Sequence, residues 1–164
     1  LGGSFDPAHL GHIKITKEAK KKFKLSKVFW VITKKNPFKK KCFYSLSHRI
    51  TLSKKLVLKN KFIKVIYIEG KCKSNRTYKY IKYLSKKNQN TDFYFIMGAD
   101  NLINFHKWKN WKEIPKICQI LVFDRGNFKS KCLKSTAYKK INKKRLKFIK
   151  FKKVNISSSQ LRKI

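Results

Sequence analysis

The sequence predicts an α/β fold, with a doubly wound sheet of mainly parallel strands and helices on both faces. Short apolar runs rich in β-branched and aromatic residues alternate with longer Lys-rich amphipathic runs along most of the chain. The chain also opens with a glycine-rich turn that leads into a helical run, as in a strand-to-helix turn. Its 164 residues predict a single domain over 1–164 with one substantial core.

Charge is the unusual feature of the composition. The 44 Lys and Arg residues against 7 Asp and Glu give a formal net charge of +37. Such a chain should bind polyanions with an affinity that falls as salt rises, so a nucleic-acid-binding protein is one hypothesis. The lysines are spread from Lys14 to Lys163, whereas a dedicated binder more often concentrates them on one face. This spread favours compositional drift and predicts only non-specific binding to nucleic acid.

Cysteine usage and hydropathy predict a cytoplasmic protein. The cysteines at 42, 72, 118 and 132 form no Cys-x-x-Cys pair and have no His at zinc spacing, so we expect free thiols. No apolar run approaches the ~18–20 residues that cross a membrane. Because the chain opens on Leu1 rather than Met, we expect that a few residues of the first strand precede it.

The first twelve residues carry the strongest motif. Gly2 and Gly3 lack a Cβ, so they can take positive φ and allow a ligand close to the backbone. Pro7 fixes one φ and stiffens the turn. His9 and His12 are three residues apart, so they share one face at the amino end of the following helix, where exposed amides and the helix dipole favour an anion. The pattern indicates a phosphate site, and a glycine-rich turn with surface histidines is the alternative.

The run GGSFDPAHLGH resembles the signature of the nucleotidyltransferases that carry a His-x-Gly-His element. The double glycine with His9 favours the bacterial nicotinate-nucleotide adenylyltransferases, because pantetheine-phosphate adenylyltransferases usually have Thr there and cytidylyltransferases differ in the preceding turn. The resemblance implies a Rossmann-like fold of the nucleotidyltransferase type. It also implies transfer of AMP from ATP to nicotinate mononucleotide, giving deamido-NAD and pyrophosphate in NAD biosynthesis, with Mg²⁺ held by the ATP phosphates.

The predicted elements alternate along the chain. We expect helices at 13–25, 45–60 and 74–85, with Ser45 or Ser47 capping the second, and a variable helix or loop at 129–147. Continuous apolar runs predict buried parallel strands at 28–32, 62–68, 93–97 and 117–123, with a last strand at 148–151.

A second motif follows the strand that ends at Gly98. Asp100 stands at the carboxyl end of a parallel strand, where doubly wound sheets bind ligands, and could accept hydrogen bonds from ribose; a simple helix cap is the alternative. Trp108 and Trp111 lie three apart on a predicted short helix, so one is expected in the core and the other free to stack on a ring; a core role for both is the alternative. The resemblance assigns stacking on nicotinate to Trp108.

Three further substrate contacts are implied by the resemblance alone, at Lys39, Thr77 and Arg125. Lys39 lies among other lysines and could equally be a solvated charge, and Arg125 could instead pair with Asp124 or Asp100. The family pattern is also broken next to Thr77, where Lys79 and Tyr80 replace an acid and a Thr. These differences leave the detailed substrate contacts open. The choice between nicotinate and nicotinamide mononucleotide also stays open, because the contacts to the group that distinguishes them cannot be placed from sequence.

A third motif, ISSSQLR at 156–162, resembles the Ile-Ser-Ser-Thr-x-Ile-Arg element of the same family. Hydroxyl residues at a helix start leave amides for phosphate, and Arg162 adds a positive charge. The predicted catalytic residues are His9, His12 and Arg162. The predicted ATP-binding residues are Gly3, Ser4, Phe5, His9, His12, Gly98, Asp100, Ser157, Ser158 and Arg162. The predicted residues for nicotinate mononucleotide are Lys39, Thr77, Trp108 and Arg125, and no protein ligand to a metal is predicted.

Overall fold

The computed structural model describes residues 1–34, 41–124, 128–151 and 158–162. The chain divides into two compact units, Leu1–Asn75 with Val154–Ile164 and Arg76–Lys153. Each unit contains one sheet of three parallel strands. The single domain over 1–164 stays a prediction.

The first unit is built around the sheet order β1-β2-β3. Its elements are β1 Gly2–Gly3, α1 Leu10–Phe23, β2 Val28–Ile32, α2 Leu46–Val57, β3 Ile63–Ile66 and α3 Glu69–Cys72. Gly3 lies opposite Ile32, and Val31 lies opposite Ile66, so β2 is the central strand. Trp30 and Ile32 on this strand are fully buried, as expected for a strand covered on both faces.

The second unit has the sheet order β4-β5-β6. Its elements are α4 Thr77–Lys87, β4 Tyr94–Gly98, α5 Ala99–Ile103, α6 Ile114–Ile117, β5 Gln119–Asp124, α7 Lys129–Lys134, α8 Thr136–Lys140 and β6 Leu146–Lys150, with 3₁₀ turns at Phe105–Lys107, Trp111–Glu113 and Lys143–Arg145. The chain then returns to the first unit with α9 Ser158–Leu161. In the second unit the central strand is β5, whose residues from Ile120 to Phe123 are all fully buried.

The predicted alternation of helices and parallel strands is confirmed. Each unit alternates parallel strands with helices, which is the pattern from which doubly wound folds are built. Ser45 caps α2 by accepting from the His48 amide at 3.2 Å, which decides between the two predicted caps.

Two local predictions need correction. Trp108 and Trp111 do not share a helix, because Trp108 is extended and Asn110 adopts a left-handed conformation with φ 57°. The basic segment 129–147 is not a single element either, since extended backbone at Ser135 separates α7 from α8.

All four cysteines are free thiols, as predicted. Within the described ranges, none of the helices has both the length and the apolar character that crossing a membrane requires.

Candidate active site

The turn after β1 has its positive φ at a bulky residue rather than at Gly2 or Gly3. Phe5 has a φ of 46°, whereas no described glycine has a positive φ. This left-handed conformation is strained for a side chain of this size, so the surroundings must hold it. The buried Phe5 ring stacks on Trp30 with centroids 4.9 Å apart and lies 4.9 Å from the His12 ring. Aromatic packing therefore helps to hold the left-handed residue of the turn.

The fold itself does not require the two glycines. A Cβ on Gly2 would meet nothing within 4 Å, and one on Gly3 would touch the Phe5 ring at an ordinary 3.5 Å. Neither residue has a positive φ. Packing and backbone conformation among the described residues would therefore accept a side chain at both positions. Bare backbone at this point instead suits the close approach of a ligand.

The two histidines form the amino-terminal cap of α1. The His9 Nδ1 accepts from the Gly11 amide at 3.1 Å, and the His12 Nδ1 accepts from the His9 amide at 3.2 Å. Because each Nδ1 is an acceptor, we infer that a neutral imidazole carries its proton on Nε2. The rings lie 3.9 Å apart between centroids. This confirms the predicted shared face at the helix start and fixes which nitrogen of each ring can donate.

One buried hydrogen bond attaches this helix to the sheet, and a second bond within the helix continues from it. The Trp30 Nε1 donates to the Thr16 hydroxyl at 2.9 Å, and that hydroxyl donates to the His12 carbonyl at 2.7 Å. The start of α1 is thus held to the central strand β2 through Thr16.

Asp6 ties the turn to two later segments of the first unit. Its buried carboxylate accepts from the Phe43 and Tyr44 amides at 2.7 and 2.9 Å. The Arg162 Nη1 lies 3.8 Å from the same carboxylate and donates to the Asp6 carbonyl at 2.6 Å. Ser158 donates to the Pro7 carbonyl at 2.9 Å. The first and third motifs therefore meet at one turn through contacts between residues 151 and 156 positions apart in the chain.

Arg49 is the residue that sequence reasoning missed. It is 1% exposed, and its guanidinium donates to four backbone carbonyls, those of Ser4, Thr33, Lys34 and Tyr44. The only sequence signal was an arginine near the start of a helix whose last turn carries Lys54 and Lys55. Helical periodicity does not distinguish such a residue from a solvated one.

The second unit places its predicted residues at the carboxyl end of β4. Gly98 is buried and precedes α5 in an extended conformation. Asp100 is the second residue of α5, so it is not the helix cap. The neighbouring Cys132 Sγ donates to the Ala99 carbonyl at 3.0 Å. Burial, together with the smaller effects of the Asp124 and Asp100 charges, raises the pKa of this thiol from 9.0 to about 11.

Both tryptophans are half-buried and pack on the core of the second unit. The Trp108 ring meets Phe95 and Phe105 edge-on at 6.2 and 5.2 Å, and Trp111 meets Phe105 edge-on at 6.0 Å. The expectation of one core and one surface tryptophan is therefore wrong, since both rings are half-buried and both pack against the core.

The remaining predicted residues fall into two groups. Thr77 is the first residue of α4 and is half-buried. Lys39, Arg125 and Ser157 lie outside the described residues. Gly3, Ser4, Phe5, His9, His12, Ser158 and Arg162 come together in the first unit, and Gly98, Asp100, Trp108 and Thr77 belong to the second.

Comparison with known proteins decides the family. The whole chain, residues 1–164, matches the cytidylyltransferase-like family. A probable nicotinate-nucleotide adenylyltransferase from Pelagibacter ubique is 58% identical over 164 residues, which are 100% of this chain and 91% of that protein. The chain belongs to the nicotinate-nucleotide adenylyltransferase family.

More distant members agree with this family. A probable nicotinate-nucleotide adenylyltransferase from Ruegeria sp. is 35% identical over 125 residues, 76% of this chain and 66% of that protein. The solved structure of Plasmodium falciparum nicotinic acid mononucleotide adenylyltransferase complexed with NaAD has a TM-score of 0.74 at 22% identity, covering 99% of this chain and 80% of that chain. This last likeness supports the fold of the family.

Proposed function

We propose that this chain transfers AMP from ATP to nicotinate mononucleotide, giving deamido-NAD and pyrophosphate as a step of NAD biosynthesis. Family membership supports the reaction. The observation that carries it is the turn of the first unit, where two imidazoles and Arg162 gather beside backbone that the fold leaves bare at Gly2 and Gly3. Such a surface is suited to a triphosphate.

The chemistry needs placement and charge rather than a base. A phosphate oxygen of the mononucleotide attacks the α-phosphorus of ATP, a new P–O bond forms, and the bond to pyrophosphate breaks. The attacking phosphate is already anionic at neutral pH, so no proton has to be removed. Catalysis then comes from holding the two substrates in line and from stabilising charge on the departing pyrophosphate.

The first unit supplies the groups for that charge. His9 and His12 donate from Nε2, since each Nδ1 is occupied by a backbone amide. Arg162 is oriented by Asp6, and its guanidinium adds a positive charge at the same turn. Ser158 fixes the start of α9 against Pro7 through its hydroxyl. Mg²⁺ enters as part of the substrate MgATP, because it prefers oxygen ligands, keeps several waters and needs few protein ligands.

We propose that residues of the second unit bind the ribose of ATP and the pyridine ring of nicotinate mononucleotide. Asp100 at the carboxyl end of β4 is proposed to accept from the ribose of ATP. Trp108 is proposed to stack on nicotinate, as the family resemblance implies, since its ring is only half-buried. Thr77, Lys39 and Arg125 keep the roles that the family resemblance implies.

Isotope placement tests the proposal. With ATP labelled at the α-phosphate, the label should appear in deamido-NAD, and with ATP labelled at the γ-phosphate it should appear in pyrophosphate. Label in AMP or in inorganic phosphate would show hydrolysis and contradict nucleotidyl transfer.

We also propose a cytoplasmic location, where ATP and free thiols coexist.

The charge supports a second, non-specific activity. With +37 on 164 residues, the chain should bind RNA or DNA at low salt. Binding that disappears between 50 and ~200 mM salt, without dependence on sequence, is the expected behaviour. Sequence-selective binding that persists at high salt would instead indicate a selected nucleic-acid role.

A further inference from the structure

We propose that Arg49 is a positioning residue for AMP transfer, which sets the direction of the Phe5 amide in the phosphate-binding turn. Its Nη1 donates to the Ser4 carbonyl at 2.6 Å, inside the protein. Ser4 C=O and Phe5 N–H belong to one planar peptide group and point in opposite directions. Fixing the carbonyl towards Arg49 therefore fixes the Phe5 N–H away from it. The inference rests on the proposed function, since that is what gives the turn a substrate.

The geometry allows little freedom at this point. Arg49 also donates from Nη1 to Thr33 at 2.8 Å, from Nη2 to Lys34 at 2.9 Å and from Nε to Tyr44 at 3.1 Å. Four of the five guanidinium N–H groups are used, on three separate backbone segments. Only the planar fork of arginine can reach all of them, because a lysine has three N–H groups on one atom.

Asp6 holds the same segment that Arg49 holds, through a different backbone group. The Tyr44 amide donates to the Asp6 carboxylate, and the Tyr44 carbonyl accepts from Arg49. Tyr44, just before α2, is thereby held at both its backbone N–H and its backbone C=O. Asp6 of the turn accepts from the N–H, and Arg49 of the helix donates to the C=O. Arg49 is thus the link between the turn and the end of β2, and Asp6 links the turn to Phe43 and Tyr44.

The charge of Arg49 indicates that its burial serves more than packing. Burying a charge is costly unless it is fully hydrogen-bonded, and a neutral side chain could fill the same space. No ion pair to Arg49 is present in the part of the chain that the structure describes, so its partners are carbonyls. A buried cation with only carbonyl partners is best explained by the directions it imposes on those carbonyls. The strained φ of 46° at Phe5, the next residue after Ser4, is the conformation that needs this restraint.

The variants Arg49→Lys and Arg49→Met test the proposal against Val57→Ala. Val57 is buried at the carboxyl end of the same helix, whereas Arg49 lies near its amino end, so the Val57 truncation reports loss of α2 packing. Thermal unfolding should show that all three variants fold, and initial rates are compared well below each midpoint. We expect kcat to fall about 10- to 100-fold in Arg49→Lys and further in Arg49→Met, with KM for ATP changing less than threefold. Val57→Ala should keep kcat within twofold of wild type.

Hydrogen exchange of single amides gives a second readout that does not require turnover. Exchange at Phe5, Phe43 and Tyr44 should accelerate in both Arg49 variants and not in Val57→Ala. A kcat for Arg49→Lys within threefold of wild type would overturn the positioning role, as would an equal loss of kcat in Val57→Ala. If wild-type protein transfers no AMP, the proposed function fails, and the exchange data alone decide: unchanged exchange at these amides overturns the inference, and accelerated exchange supports the restraint.

Discussion

The substitution Asp6→Asn should destabilise the first unit far more than neutralising an exposed carboxylate would. The carboxylate accepts two backbone hydrogen bonds at 2.7 and 2.9 Å, and the side chain is only 8% exposed. Asparagine has the same size but one acceptor oxygen, so one of the two amides of Phe43 and Tyr44 would face an NH₂ group. A buried hydrogen bond to a charged group contributes about 1.5–3 kcal/mol, and an amide left unsatisfied costs a comparable amount.

The expected loss is therefore about 2–4 kcal/mol in the free energy of unfolding, measured by urea denaturation at 25 °C. Glu18→Gln is the matched control, because it makes the same change in net charge. Glu18 pairs with Lys22 at 3.6 Å on the exposed face of α1, and its loss should cost no more than ~0.5 kcal/mol. If Asp6→Asn destabilises the protein no more than Glu18→Gln, the carboxylate does not hold the turn to residues 43–44.

The remaining predictions concern the site and a buried thiol. His12→Ala should lower kcat about 10²- to 10⁴-fold with an unchanged circular dichroism spectrum, because one donor to the leaving group is lost; a near-normal rate would remove it from the mechanism. Trp108→Ala should raise KM for nicotinate mononucleotide more than KM for ATP, and Trp111→Ala should not; equal effects would make Trp108 structural. Burial raises the pKa of the Cys118 thiol from 9.0 to about 12, so the folded state keeps a proton that the unfolded state loses. Stability should thus be complete below pH 9 and decline between pH 9 and 12, and Cys118→Ala should flatten that decline; identical pH profiles would contradict this.

The order of elements could be predicted because each depends on a local pattern. Continuous apolar runs such as 28–32 must be covered on both faces, and the structure buries Trp30 and Ile32 completely. The start of α1 was predictable for a similar reason, since His9 and His12 act through nearby backbone amides that spacing alone brings together.

The parts that could not be predicted depend on distant partners. Arg49 acts on carbonyls 5 to 45 residues away in the chain, and nothing in its helical position shows this. The positive φ falls on Phe5 rather than on a glycine, and the Phe5 ring is held there by stacking on Trp30 of β2. Trp108 and Trp111 looked like one helical face, yet the left-handed Asn110 separates them. Periodicity cannot anticipate such a break when the residue is not a glycine or a proline.

The most direct test of the central claim is the initial rate of pyrophosphate release with MgATP and each of three acceptors, nicotinate mononucleotide, nicotinamide mononucleotide and phosphopantetheine, at moderate salt. We predict rapid release with nicotinate mononucleotide and at least tenfold slower release with the other two. Equal or faster release with nicotinamide mononucleotide would contradict the assigned substrate. Release with none of the three, in protein shown to be folded, would contradict nucleotidyl transfer and leave polyanion binding as the remaining activity.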